Sequence, residues 1–276
     1  LKRLLDVTAG VGRQAVRLLQ ITDTHLFANK EDTLLSVNTF NSYQQVLDAI
    51  VAQSIDYDLI VATGDLVQDG TEQGYRYFCD GIQRLGKPCV WLPGNHDFQP
   101  VMSDIIGQSG LCEAKEVLCG DHWYVILLDS QVFGSPHGEL SEYQLAWLDA
   151  SLRKYQDRHT LVLLHHHPVD SGCAWLDQHR LRNSHEFLSV LKQHPQAELF
   201  LCGHIHQSLD LDWEGRRVLT SPSTCVQFKP YCTNFELDTL PPGWRYIDLH
   251  ADGRVTTEVY RLETDEFIPD MDSDGY

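Results

Sequence analysis

A chain of 276 residues, 42% hydrophobic and 22% charged, has the composition of a folded globular protein and enough length to bury a sizeable core. Its formal net charge of −18, from 21 basic and 39 acidic residues, repels a phosphodiester backbone and sets extended nucleic acid aside as a partner. No apolar run approaches the ~18 residues that cross a bilayer, so no membrane partner is expected.

Leu1 to Val16 mixes Lys2, Arg3 and Asp6 with short apolar stretches and shows no secretory h-region with a small-residue cleavage site. Residues 1–15 are read as an N-terminal extension. Val16 to Thr22 is a short apolar run that predicts a buried strand. Thr39 to Ser54 carries Phe40, Tyr43, Val46, Leu47, Ile50 and Val51 at helical spacing. Leu59 to Thr63 predicts a strand, Glu72 to Leu85 a helix, and Pro88 to Leu92 another strand. Trp123 to Leu128 is a further strand, paired with Lys115 to Leu118. Ser141 to Tyr155 reads as a helix capped by Ser141, with Leu145, Trp147, Leu148 and Leu152 on its apolar side. Thr160 to Leu164, a helix over Arg182 to Gln193, and Glu198 to Cys202 continue the alternation. Short strands follow at Leu209–Trp213, Arg217–Thr220, Tyr246–Leu249 and Val255–Tyr260, with turns at Glu214-Gly215 and Asp252-Gly253. The acidic tail over 263–276 is poor in apolar residues and is expected to fray, which leaves 16–262 as one layered α/β domain. The eight cysteines form no C-x-x-C pair and read as free thiols in a reducing cytoplasm.

The chemistry-bearing residues stand just after predicted strands. These are Asp23-Thr24-His25, Gly64-Asp65, Gly94-Asn95-His96-Asp97, His165-His166-His167-Pro168 and Gly203-His204-Ile205-His206. In open α/β sheets, ligands bind beyond the carboxyl ends of strands. Carboxylate, imidazole and amide oxygen together suit manganese, iron or zinc. In extended backbone, residues i and i+2 point the same way, so D-x-H and H-x-H each aim two side chains at one volume. The candidates outnumber the four donors of a single tetrahedral site. Two metals bridged by a carboxylate fit the count better, and phosphate-ester hydrolysis commonly uses such pairs. A lone D-x-H is usually a turn or a helix cap, and G-N-H-D alone also suits a turn. Five such motifs, each at a strand end, leave that structural reading little room.

The order D-x-H, G-D-x-x-x-D, G-N-H-D, H-H-x-P, G-H-x-H resembles the calcineurin-like metallophosphoesterase family from Leu18 to Gln207. The resemblance implies a four-layer αββα sandwich of two mixed sheets flanked by helices, with the site at the sheet edges. It implies that Asp23, His25 and His206 hold one metal, that Asn95, His204 and one histidine of the triplet hold the second, and that Asp65 bridges. The family histidine stands two before the proline, which is His166, and the extra histidine leaves His165 as an alternative. Further features resemble the class III cyclic nucleotide phosphodiesterases, above all bacterial members that act on 3′,5′-cyclic AMP. They are Phe98, Asp129-Ser130, the run Pro136-His137-Gly138-Glu139-Leu140, Gln144 with Trp147-Leu148, and Pro222-Ser223-Thr224-Cys225.

That resemblance implies hydrolysis of cyclic AMP to 5′-AMP by a two-metal-activated hydroxide, with iron or manganese as the two ions. His25, Asp65, Asn95, His96 and His206 are then expected at the substrate. His96 is the residue expected to protonate the leaving 3′-oxygen, with Asp97 holding its ring in the useful tautomer. A small cyclic nucleotide is the implied partner. Glycerophosphodiesters or other phosphate esters are the alternative substrates, and a non-catalytic scaffold of the same fold is a third reading. Phe228, Lys229 and Tyr231, within Cys225 to Asn234, are candidates to meet the base, and His137 is a candidate near the phosphate.

Overall fold

A computed structural model describes residues 4–275. The chain opens with β1 (Leu4–Val7), β2 (Ala15–Ile21), β3 (Thr33–Leu34), β4 (Val37–Asn38), α1 (Thr39–Gln53) and β5 (Leu59–Ala62). It continues with α2 (Glu72–Gln83), β6 (Cys89–Trp91), α3 (Gln99–Ser109), β7 (Glu116–Cys119), β8 (Trp123–Leu127) and α4 (Glu142–Lys154). Then come β9 (His159–Leu164), α5 (Ala174–Asp177), α6 (Ser184–Leu191), β10 (Ala197–Cys202), β11 (Asp210–Trp213) and β12 (Arg216–Thr220). The last elements are β13 (Gln227–Phe228), β14 (Leu237–Asp238), β15 (Gly243–His250) and β16 (Val255–Arg261).

Two mixed sheets form the centre. One has seven strands in the order β1-β7-β8-β9-β10-β12-β11, and the other has five in the order β16-β15-β2-β5-β6. Successive side chains of a strand go to opposite faces. Leu18 of β2 therefore joins a core with Val61, Val125, Leu163 and Leu201, drawn from both sheets and filling the space between them. Its neighbour Leu19 packs on the other face with Val46, Ile50, Phe78, Ile82 and Ile106 from α1, α2 and α3. On the far side, Ile126, Val162 and Phe200 of the larger sheet pack with Leu148, Leu152, Phe187 and Leu191 from α4 and α6. Helices thus cover both outer faces of two stacked sheets, the αββα order that the motif resemblance implied. Among the described residues, no helix is long and apolar enough to cross a membrane.

Local signals account for most boundaries. Ser141 caps α4 as predicted, accepting the Gln144 N–H at 3.2 Å, and Asn38 caps α1 through the Asn41 N–H at 2.8 Å. Helix α3 was not foreseen from the sequence. Phe98 occupies its N-cap without a side-chain hydrogen bond, so the usual polar start signal is missing.

Two readings of the chain ends need correction. Residues 4–7, taken as an extension outside the domain, form an edge strand of the larger sheet, parallel to β7 with Leu4 opposite Glu116. The acidic tail, expected to fray, packs down through Phe267, which joins the core that includes residues of α1. The Asp270 N–H then donates to the Leu35 carbonyl at 2.9 Å. A single buried phenylalanine outweighs the polar composition that surrounds it.

Candidate metal centre

Strands β2, β5 and β6 run parallel as neighbours in one sheet, and β9 and β10 do so in the other. The five motif loops therefore leave parallel strand ends and meet at one edge of the sandwich. Asp23, His25, Asp65, His204 and His206 all have positive φ, at 53°, 44°, 49°, 73° and 49°. This corrects the reasoning from extended backbone. The left-handed conformation turns the chain at three of the five strand ends, those of β2, β5 and β10, and at β2 this turn brings the i and i+2 side chains Asp23 and His25 together. Asp and His adopt that region more readily than most side chains, yet each instance costs roughly 1–3 kcal/mol and has to be held. The loops hold one another: Asp23 N–H donates to Gly64 O, His25 N–H to Asp65 O and Leu26 N–H to Leu66 O, each at 3.0 Å.

Around the first cluster, His206 Nε2 lies 3.3 Å from Asp23 Oδ1 and 3.1 Å from His25 Nε2. The opposite ring nitrogens are anchored, His206 Nδ1 on the Val226 carbonyl at 2.9 Å and His25 Nδ1 on Gln68 Oε1 at 2.6 Å. Such anchoring fixes ring orientation and leaves each Nε2 aimed at the shared volume. Asp65 sits between this cluster and the next. Its Oδ2 is 4.0 Å from His25 Nε2 and 3.1 Å from His165 Nε2, and its Oδ1 accepts the His96 N–H at 2.8 Å. His165 Nε2 is also 3.2 Å from Asn95 Oδ1, and its Nδ1 donates to the Thr63 carbonyl at 2.7 Å. The ring of His166 stands 4.7 Å from that of His204, centroid to centroid, with its Nδ1 held by Ser130 Oγ at 2.8 Å.

Ligand atoms of Asp23, His25 and His206, of Asp23, Asp65 and His165, of His25, Asp65 and His96, and of His165, His166 and His204 lie within 4.8 Å of one another in each trio. The Nε2 atoms of His166 and His204 are buried with no hydrogen-bond partner. A buried polar atom left unpaired costs about 1–3 kcal/mol, and a bound cation removes that cost. Burial pushes the His25 imidazole down to about 3 and holds His166 and His204 well below their ordinary values, the neutral form a metal ligand requires. Burial also pulls on His165, but the Asp65 carboxylate outweighs it and raises the ring to about 9. Asp23 and Asp65 stay ionised despite their burial because imidazoles surround them. Two buried carboxylates ringed by imidazole nitrogens fit a pair of transition-metal cations.

The other residues singled out in the sequence have the following surroundings. Asp97 was expected to orient the His96 ring. Its carboxylate instead accepts the Gly94 N–H at 2.9 Å, the Leu66 N–H at 3.1 Å, the Val67 N–H at 3.2 Å and the Tyr75 hydroxyl at 3.0 Å. It therefore ties the Asp65 loop to the Asn95 loop. His96 is half-buried, with its ring edge-on to His25 at 5.1 Å. His167 pairs with Asp177 at 3.1 Å. Phe228 is buried and stacks on the ring of His206, a candidate ligand, at 4.4 Å with 12° between planes. Lys229 pairs with Glu236 at 2.7 Å, Tyr231 is exposed, and His137 hydrogen-bonds Ser135.

A cavity of about 450 Å³ opens beside Asn95, His96 and His204, and its other walls include Trp175, Leu176, His179, Phe235 and Ser135. Sequence reading missed these walls. Trp175 lies in a helix of four residues, too short to show periodicity, and Phe235 lies between the two-residue strands β13 and β14.

Residues 16–208 match the calcineurin-like phosphoesterase family. Over 265 residues the chain is 59% identical to the 3′,5′-cyclic adenosine monophosphate phosphodiesterase CpdA of Escherichia coli K12, covering 96% of each chain. It is 50% identical over 264 residues to the protein of that name from Haemophilus influenzae, again covering 96% of each. A 3′,5′-cyclic-nucleotide phosphodiesterase of Nostoc is 36% identical over 247 residues, with 90% of this chain and 92% of that one covered. Among solved structures, a dimetal phosphatase from Danio rerio matches with a TM-score of 0.63 at 15% identity, over 90% of this chain and 99% of that one. GAP50, the anchor in the inner membrane complex of Plasmodium, matches at 0.61 and 14% identity, over 93% and 87%. A phosphatase and an anchor share this fold, so fold alone does not carry the activity. Matching motifs, matching sandwich and clustered ligands agree, and the chain belongs to the calcineurin-like phosphoesterase family, whose enzymes use a dinuclear metal centre.

Proposed function

We propose that this protein hydrolyses 3′,5′-cyclic AMP to 5′-AMP and thereby lowers cellular cyclic AMP. The observation that carries the reading is 59% identity over 96% of the chain to a 3′,5′-cyclic AMP phosphodiesterase, joined to a cluster that holds every Asp and His candidate ligand, with Asn95 beside His165. Asp23, His25 and His206 would hold one ion, and Asn95 and His204 the second, with Asp65 between them. His165 is the better third ligand of the second ion, because its Nε2 lies 3.1 Å from Asp65 and 3.2 Å from Asn95. His166 is the alternative, with its partnerless Nε2 beside His204. When bound, such ions act as Lewis acids toward phosphoryl oxygens and bring the pKa of water toward neutrality, and iron or manganese suits this donor set.

The chain's own residues do the rest. His25, Asp65, Asn95 and His206 surround the place of the phosphoryl group. His96 lines the cavity beside Asn95 and gives a proton to the leaving 3′-oxygen as its bond to phosphorus breaks and water adds. Asp97 keeps the loop that carries Asn95 and His96 in place through its backbone hydrogen bonds. Eight free thiols, seven of them buried, accord with action in a reducing cytoplasm.

The test uses protein loaded with manganese or iron and compares cyclic AMP, cyclic GMP, 2′,3′-cyclic AMP and a simple diester. Preferred turnover of cyclic AMP is expected, and turnover of the simple diester alone overturns the reading. Metal analysis separates the histidines. His165→Ala is expected to lose the second ion while His166→Ala keeps both, and the reverse result moves the ligand to His166. Fewer than one ion per wild-type chain after reconstitution favours the scaffold.

A further inference from the structure

We propose that Trp175, with Phe235 beside it, forms the wall that receives the base of the nucleotide. This inference rests on the activity proposed above and adds the group that makes a nucleotide, and not merely a diester, the preferred substrate. One cavity is lined both by Asn95, His96 and His204 of the candidate metal centre and by Trp175 and Phe235. Its volume of about 450 Å³ far exceeds what a phosphoryl group fills and lies in the range of small-molecule pockets.

Trp175 is held at a fixed distance from the metal centre by a run of rings. His206 stacks on Phe228 at 4.4 Å, Phe228 meets Trp175 edge to face at 5.0 Å, and Trp175 meets Phe235 in the same way at 5.0 Å. The backbone reinforces this run, since the Ala174 N–H donates to the Cys232 carbonyl at 2.9 Å and ties α5 to the segment that carries Phe228 and Phe235. A rigid wall of this kind sets one spacing between phosphate and base. Trp175 is half-buried and lines the cavity, so its ring is available to a base, while its indole N–H is buried with no hydrogen-bond partner among the described residues.

Charge narrows the ligand class further. Among the described residues that line the cavity there is no lysine or arginine, and Asp274 supplies a carboxylate at its rim. A second phosphate would find no cation away from the metals. The lining therefore suits a mononucleotide, with one anionic group and one aromatic ring, over a nucleotide pyrophosphate.

The experiment compares wild type, Trp175→Leu and Trp175→Phe, each metal-loaded, on cyclic AMP and on ribose 3′,5′-cyclic phosphate, which lacks the base. The leucine keeps apolar volume and removes the π-face. The ratio of kcat/KM for cyclic AMP to that for the base-free diester is expected to fall about tenfold or more in Trp175→Leu, the scale of one base–aromatic stack. Trp175→Phe is expected to recover most of it. Calorimetric affinity for 5′-AMP should fall in parallel. An unchanged ratio together with unchanged 5′-AMP affinity overturns the inference, including when both activities drop alike. If wild type cleaves the base-free diester but not cyclic AMP, the proposed function fails, and 5′-AMP affinity alone then decides the wall: weaker in Trp175→Leu supports it, equal overturns it.

Discussion

Five of the candidate ligands hold their side chains on left-handed backbone, and two glycines make room for the result. A Cβ on Gly94 would stand 2.2 Å from Asp65 Oδ1 and 2.4 Å from the Asp65 nitrogen, neither of which can retreat without moving the bridge. Gly64 has φ +95°, and a Cβ there would meet His165 Nδ1 at 2.5 Å. Gly94→Ala is therefore expected to lower metal content and turnover together, with turnover falling about 100-fold or more, since misplacement by about 1 Å costs that much. Metal analysis beside a rate assay checks it. His96→Ala should behave differently. Its ring lies beside the ligands and the proposed role is proton donation, so turnover falls by about 10² to 10⁴ while both ions stay bound. Unchanged turnover would remove His96 from the chemistry. The candidate ligands were legible in the sequence because the donor chemistry is in the residue type. The role of Asp97 was not, because three of the four groups that donate to it, on Leu66, Val67 and Tyr75, stand twenty-two or more positions away.

At the scale of the element, the same division recurs. Strands and long helices announce themselves by periodicity and caps. Ser141 accepts the Gln144 N–H at the start of α4, and Ser141→Ala should cost about 0.5–2 kcal/mol, read as a shift in the denaturation midpoint at unchanged slope. Helix α3 and the short α5 carry weak or no such signals, and only their packing reveals them. The tail shows how composition misleads. Phe267 is 5% exposed and lies in the core that includes residues of α1, though acidic residues flank it. Truncating it removes the anchor of residues 263–275. Phe267→Ala should make that segment the first site of limited proteolysis, whereas a cleavage pattern identical to wild type would mean that the Asp270–Leu35 hydrogen bond holds it unaided.

For the molecule as a whole, the candidate ligands come from both sheets and reach one edge only when the sheets are stacked. Ions that bind the folded chain and not the unfolded one stabilise it by mass action, by about 2.7 kcal/mol at a free concentration one hundred times Kd. Loading the metal-free protein with manganese is expected to raise the melting temperature in a concentration-dependent way, and replacing Asp65 with alanine should abolish the rise. A net charge of −18 makes this coupling sensitive to the ions. Two buried carboxylates at the centre add repulsion that cations relieve.

The sequence by itself determined the α/β layering, the strand-end motifs and the kinds of donor atom, because hydrophobic period and side-chain chemistry are local properties. Only the tertiary structure decided how those donors meet. The left-handed turns, the proximity of His165 to Asp65 and Asn95, the cradle around Asp97 and the aromatic wall at Trp175 all join residues distant along the chain. Their geometry is set by the stacking of the two sheets, which no local pattern records.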